Sequence, residues 1–285
     1  MKFLSRAKEI FVDGTFRCCP KLFYQVFTIH TLSENVYLPL VFVLLGSKQT
    51  EMYHKAFTRI ARLCQQLNLQ FQPNTIFADF EESIHKAARL MWPRIIIIGC
   101  RFHLSQAWWR HIQTLGLAPQ YRDVDSNIGQ YLKLFFGLPF LRPSEVLKTF
   151  NDHLKPAAPR NPQIQKFHSY LLKTYFKPNS LFPPHMWAKY SSCLTRTTNA
   201  CEAFHSHLNK SFYSAHPNLD TFTTVLLHLQ TVTYIKMRSA VKASASVIGK
   251  EQFVAGKMLA FDSGHIDVMT FIKHVSYKFL PKEKL

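Results

Sequence analysis

The sequence predicts an α/β fold in which three antiparallel strands are followed by alternating helices and strands (βββαβαβ), with a mostly helical insertion before the last helices. Three observations predict it. Short β-rich runs fill the first 45 residues, helical and strand patterns alternate up to residue 100, and a proline-punctuated helical stretch follows.

Glu9–Phe16 (EIFVDGTF) reads as a short strand. Leu22–Thr31 and Val36–Leu45 are β-rich runs with Ser33-Glu34-Asn35 as turn material between them. Connections this short imply an antiparallel meander. Glu51–Leu67 has helical spacing, with Met52, Ala56, Ile60, Leu63 and Leu67 on one face. Asn74–Asp79 reads as a fourth strand. Glu81–Met91 reads as a helix that stops before Pro93, because the residue preceding a proline is driven out of the α region. Arg94–Cys100 (RIIIIGC) is a continuous apolar run, the pattern of a strand buried on both faces. This order is that of the ribonuclease H fold, although other α/β folds share such alternation.

Leu104–Leu115 reads as a helix. Helical pieces such as Pro143–Leu154 and Ile164–Phe176 follow, separated by proline-rich joints at Pro156–Pro162 and Pro178–Pro184. Asn199–Phe212 and Thr221–Val241 read as helices, and Val275–Leu285 as a basic, frayed tail. The expected organisation is a core over 1–115, a helical insertion over 116–195, and the core's C-terminal helices and tail over 196–285.

Composition narrows the class. A hydrophobic content of 47%, with 25 Phe, supports a real core and argues against disorder. Lys and Arg number 35 against 17 Asp and Glu, a net charge of +18. A field of that sign attracts polyanions, so nucleic acid is the expected partner; a basic domain lacking an acidic partner domain is the other reading. The six cysteines, Cys18, Cys19, Cys64, Cys100, Cys193 and Cys201, form no paired framework, which points to a reducing compartment. The first nine residues carry Lys2, Arg6 and Lys8 and no apolar segment of signal-peptide length. The longest apolar stretch, Val36–Leu45, contains Pro39 and is too short to span a bilayer. A soluble intracellular protein with no membrane partner is expected.

Acidic residues are scarce, so those at element ends stand out. Asp13 lies near the end of the first strand and Asp79 at the end of the fourth. In a ribonuclease-H-like sheet those strands are neighbours and the two carboxylates converge. Like charges that close repel, and divalent cations resolve the repulsion. Hard oxygen ligands suit Mg²⁺ or Mn²⁺, and a pair of such ions can activate a water or 3′-hydroxyl and stabilise the leaving oxygen of a phosphodiester. The bland alternatives are a turn aspartate before Gly14 and a helix N-cap at Asp79. A third acid, Glu202, follows Asn199 by three residues, which equally suits a capping box. Cys100-Arg101-Phe102-His103 is half of a zinc site, and only His205 and His207 stand as further ligands. Zinc is not expected there, and Cys100 and His103 are read as structural.

Taken together, Asp13-Gly14-Thr15-Phe16, Asp79-Phe80-Glu81, Cys100-Arg101-Phe102-His103 and Thr198-Asn199-Ala200-Cys201-Glu202 resemble, in this order, the motifs of the Mutator-like (MULE) transposase domain of the DDE superfamily. The resemblance covers about residues 9 to 212. It departs at Ala200, where the family often has a second Asn, and neither a zinc-binding recognition domain nor a zinc knuckle is read in this chain. The resemblance implies that Asp13, Asp79 and Glu202 are the catalytic triad and the ligands of Mg²⁺ (or Mn²⁺). It further implies strand cleavage and transfer of transposon DNA, with transposon ends and target DNA as partners, in the nucleus. A homo-oligomer is compatible with it. The alternative is a domesticated or truncated derivative that binds DNA without cutting. A ribonuclease-H-like exonuclease is disfavoured, since such enzymes usually carry a second acid two residues after the first, where this chain has Thr15.

Overall fold

The computed structural model describes residues 1–33, 36–194, 199–238 and 245–281, and at 199–202 the backbone alone. In chain order the first elements are α1 (Lys2–Arg6), β1 (Glu9–Thr15), β2 (Gln25–Ser33), β3 (Val36–Leu45), α2 (Thr50–Gln65), β4 (Thr75–Ala78), α3 (Glu82–Met91) and β5 (Ile96–Gly99). Helices α4 (Arg101–Thr114), α5 (Ala118–Arg122), α6 (Asn127–Leu134), α7 (Pro143–Thr149) and α8 (Pro162–Leu171) follow. The last are α9 (Asn199–Lys210), α10 (Leu219–Met237), α11 (Ala245–Asp262) and α12 (Val268–Lys278). The chain divides into two compact units, Met1–Cys100 with Thr197–Ala243, and Arg101–Arg196 with Ser244–Leu285.

The first unit is built on one five-stranded sheet of order β3-β2-β1-β4-β5. β1 pairs antiparallel with β2, and β2 with β3, as the meander requires. β4 joins the other side of β1 in parallel, and β5 joins β4 in parallel, each reached through a helix as parallel pairing demands. One sheet face is covered by α2, where Phe27 meets the rings of Tyr53 and Phe57 edge-on at 5.1 and 6.0 Å. Elsewhere in this unit Val26, Leu208, Phe212, Phe222 and Leu229 bury together with Cys18 and Cys19, so α9 and α10 close over the sheet.

The second unit is helical. Its centre is Trp108 of α4, fully buried and ringed edge-on by Tyr175, Phe176 and Trp187. No described helix of the chain is long and apolar enough to cross a membrane.

Several expectations need correction. The Arg94–Cys100 run forms only the short β5, an edge strand whose Ile96 is 58% exposed, so apolar continuity here does not mean cover on both faces. The buried stripe of α2 is Tyr53, Ala56, Phe57, Ile60, Ala61 and Cys64, rotated from the expected one by its two aromatics, and Leu67 is exposed. The expected frayed tail is helical from its start at Val275 to Lys278, because Phe271, Ile272 and Val275 are fully buried. Glu34 and Asn35 of the expected turn, residues 239–241 of the expected Thr221–Val241 helix, and residues 282–285 of the tail lie outside the described residues.

Candidate active site

β1 and β4 are parallel neighbours, and the chain leaves them in opposite directions, β1 towards β2 and β4 towards β5. Their carboxyl ends therefore flank the topological switch point, where open α/β sheets place ligands. The register pairs Glu9 with Thr75 and Phe11 with Phe77. The Phe11 and Phe77 rings stack at 4.3 Å and 8°, an aromatic pair that fixes this register. Side chains alternate with period two, so Asp13 and Asp79, each two residues further on, follow that stack at the sheet edge. Asp13 lies inside β1, not in a turn, and Asp79 directly follows Ala78, the last residue of β4.

Asp13 is only 5% exposed. Its Oδ1 accepts the Gly14 N–H at 2.9 Å, and its Oδ2 lies 3.2 Å from Nδ1 of His205 on α9. Thr28, the register partner of Asp13, donates its hydroxyl to the Asp13 carbonyl at 3.2 Å. The same hydroxyl oxygen meets Nε2 of His205 at 2.8 Å and Nε2 of His30 at 3.0 Å. The hydroxyl thus links both imidazoles to the Asp13 strand, and His205 presents Nδ1 to the Asp13 carboxylate. His30 is buried completely; desolvation first, and the neighbouring His205 second, push it from 6.5 down to about 3, against the pull of Asp13, so it is neutral.

Asp79 Oδ1 accepts the Glu81 N–H at 3.1 Å, and its carbonyl meets His85 Nε2 at 2.7 Å. The N-cap of α3 is Glu81, so Asp79 braces the turn before the helix without occupying the cap. The Glu81 carboxylate accepts the Tyr53 hydroxyl at 2.7 Å and pairs with Lys48 Nζ at 2.7 Å. Gln25 Nε2 donates to the Tyr53 oxygen. Burial, then the bond to Glu81, then the charges of Glu81 and Asp79 raise the Tyr53 phenol, so it stays protonated as a donor. Two glycines leave room for this network. A Cβ on Gly14 would run into the Gln25 amide, and one on Gly99 would strike the ring of Phe80.

The Glu202 side chain lies outside the described residues, as do those of Asn199 and Cys201 and the whole of Thr198. The backbone of α9 is described, and beyond Glu202 its side chains fix it to the sheet. His205 meets Asp13, Asn209 Nδ2 reaches Thr15 Oγ1 at 3.4 Å, and Leu208 is fully buried. Glu202 precedes His205 by three residues, close to one helical turn. Cys100 is buried, with its N–H donated to the Ala78 carbonyl at 2.7 Å, and His103 lies in the first turn of α4 in the other unit. Among the described residues no group of three or more His, Cys, Asp or Glu is placed to hold a metal ion. Asp13 and Asp79 offer hard carboxylate oxygens of the kind Mg²⁺ takes, two donors of such a set. Sequence reasoning missed Thr28, His30, Lys48 and Tyr53 at this site. Only His205 carried a signal, standing one turn after Glu202 on the same helix.

The fold defines a class: an α/β protein built on a five-stranded mixed sheet, with Asp13 and Asp79 at the carboxyl ends of two neighbouring parallel strands. Residues 9–107 match the family model of the MULE transposase domain. The Asp13-Gly14-Thr15-Phe16, Asp79-Phe80-Glu81 and Cys100–His103 motifs lie inside the matched residues, and the Glu202 motif lies beyond them. Comparison with curated proteins gives no match.

Proposed function

We propose that this chain carries the catalytic core of a DDE-type transposase of the Mutator-like kind, cleaving and joining DNA strands with divalent metal ions. The observation that carries the reading is the β1–β4 register, which sets Phe11 beside Phe77, with Asp13 and Asp79 each two residues further along. Its match to the MULE transposase domain over residues 9–107 supports a transposase-related role. The strand order β3-β2-β1-β4-β5, with three antiparallel strands and two parallel ones, supports a ribonuclease-H-like core, with the helical segment after α4 as an insertion.

In this reading Asp13, Asp79 and Glu202 hold Mg²⁺ or Mn²⁺. When bound, the ions supply activation of the attacking hydroxyl and charge stabilisation at the leaving oxygen. The protein's own residues prepare the site. Gly14 N–H and His205 fix the rotamer of Asp13, and the Glu81 N–H fixes that of Asp79. Lys48, held by Glu81, supplies a cation for a strand phosphate beside the acids. The net charge of +18 suits DNA as the partner, and the nucleus is the corresponding compartment.

The test is strand cleavage and joining on the element's own ends in Mg²⁺ or Mn²⁺. Wild type should cut, and Asp13→Asn and Asp79→Asn should each lose activity by orders of magnitude at unchanged DNA affinity. Cutting by Asp13→Asn at near the wild-type rate would remove the metal-site reading and leave a DNA-binding derivative.

A further inference from the structure

The loop that leaves the Asp13 strand, residues 16–24 (FRCCPKLFY), carries no acidic residue and four aromatic or large apolar groups. It is held from below. Cys18 and Cys19 are each 1% exposed and belong to the core cluster with Leu208 and Phe212. His216 donates its N–H to the Arg17 carbonyl at 2.8 Å, and its Nδ1 meets the Cys19 carbonyl at 2.9 Å. On this fixed base Phe16 and Tyr24 stand 43% and 52% exposed, edge to face at 5.7 Å and 90°. Exposed Arg17 and Lys21 flank them. Lys48 lies 5.0 Å from the centre of the Phe16 ring while pairing with Glu81, so one cation ties the aromatic pair to the Asp79-Phe80-Glu81 segment.

Exposed rings on an anchored loop that carries Arg17 and Lys21 but no acid, with Lys48 over one ring, match the chemistry of an unpaired nucleic-acid strand: bases stack on the rings and phosphates meet the cations. We propose that Phe16 and Tyr24, with Lys48, form a stacking subsite for an unpaired base of the strand entering the Asp13–Asp79 site. This deepens the function proposed above and rests on it. Phe16 follows Asp13 by three residues of near-extended chain, roughly 10 Å, so the stacked base belongs within about three nucleotides of the reacting phosphate.

The experiment measures binding of a fluorescently labelled single-stranded dodecamer, the same strand with abasic positions, and its duplex, all in EDTA so that no cutting intervenes. Phe16→Ala and Tyr24→Ala should each weaken single-strand binding about tenfold, while duplex and abasic-strand binding change little. Tyr24→Phe, which keeps the ring, should bind as wild type does, and thermal melts of all variants check folding. Wild-type affinity in both alanine variants, or an equal loss on single strand, abasic strand and duplex, would overturn the subsite. Because no metal is present, a failure of Asp13 and Asp79 to support cleavage would leave this result standing, so the two readings fail separately.

Discussion

At Asp13 three neighbours decide what the carboxylate can do. Gly14 offers a backbone N–H, His205 faces the carboxylate with Nδ1 at 3.2 Å, and Thr28 holds that imidazole from behind. Glu202 is the third acid of the proposed triad, and its two candidate roles separate by mutation. Glu202→Gln keeps a hydrogen-bonding side chain at the start of α9 but removes the charge. Urea unfolding should therefore change by less than about 1 kcal/mol, while strand cleavage falls by orders of magnitude. Near wild-type cleavage in that variant would leave Glu202 as a helix cap alone. Asp13 and Asp79 were legible in the sequence because acids are rare and both stand at strand ends. Lys48, Tyr53 and His30 were not, since nothing in local periodicity tells which distant side chain a fold will bring to a carboxylate.

Among elements, strands β1 to β4 and helices α2 and α3 announce themselves through period and punctuation. β5 misleads because four consecutive isoleucines and their neighbours hide the alternation that marks an edge strand. The segment that becomes α11 went unread for a related reason: Val247, Ile248 and Leu259 are exposed while Val254 and Met258 are buried, so no single apolar stripe forms. In the helical unit, α8 carries a buried histidine with a testable consequence. Tyr131 donates its hydroxyl to the Leu154 carbonyl at 2.9 Å, so His168 Nε2, 2.8 Å away, must donate to the Tyr131 oxygen. Burial first, and Lys155 second, push His168 from 6.5 down to about 4. Between those values the unfolded chain binds a proton that the folded chain refuses, so stability falls as pH drops through that window. Stability measured by urea unfolding between pH 7 and 4.5 should show a slope smaller by about one proton in His168→Gln than in wild type. Equal slopes would mean that His168 titrates normally in the folded protein.

For the whole molecule, an excess of 18 positive charges spread through the sequence, with no long like-charged run, favours many phosphate contacts over any one reading element. DNA affinity should fall by roughly a thousandfold or more between 50 and 200 mM salt and differ little between sequences. A shallow salt dependence with strong sequence preference would contradict this. On the proposed function, Asp13 and Asp79 share a cation at the switch point between β1 and β4. Titration of Mn²⁺ followed by its electron paramagnetic resonance signal, on wild type, Asp13→Asn and Asp79→Asn, tests this. Saturable binding in wild type that is lost in both variants, with unchanged melting temperatures, is the predicted result; equal Mn²⁺ binding in all three proteins would contradict it.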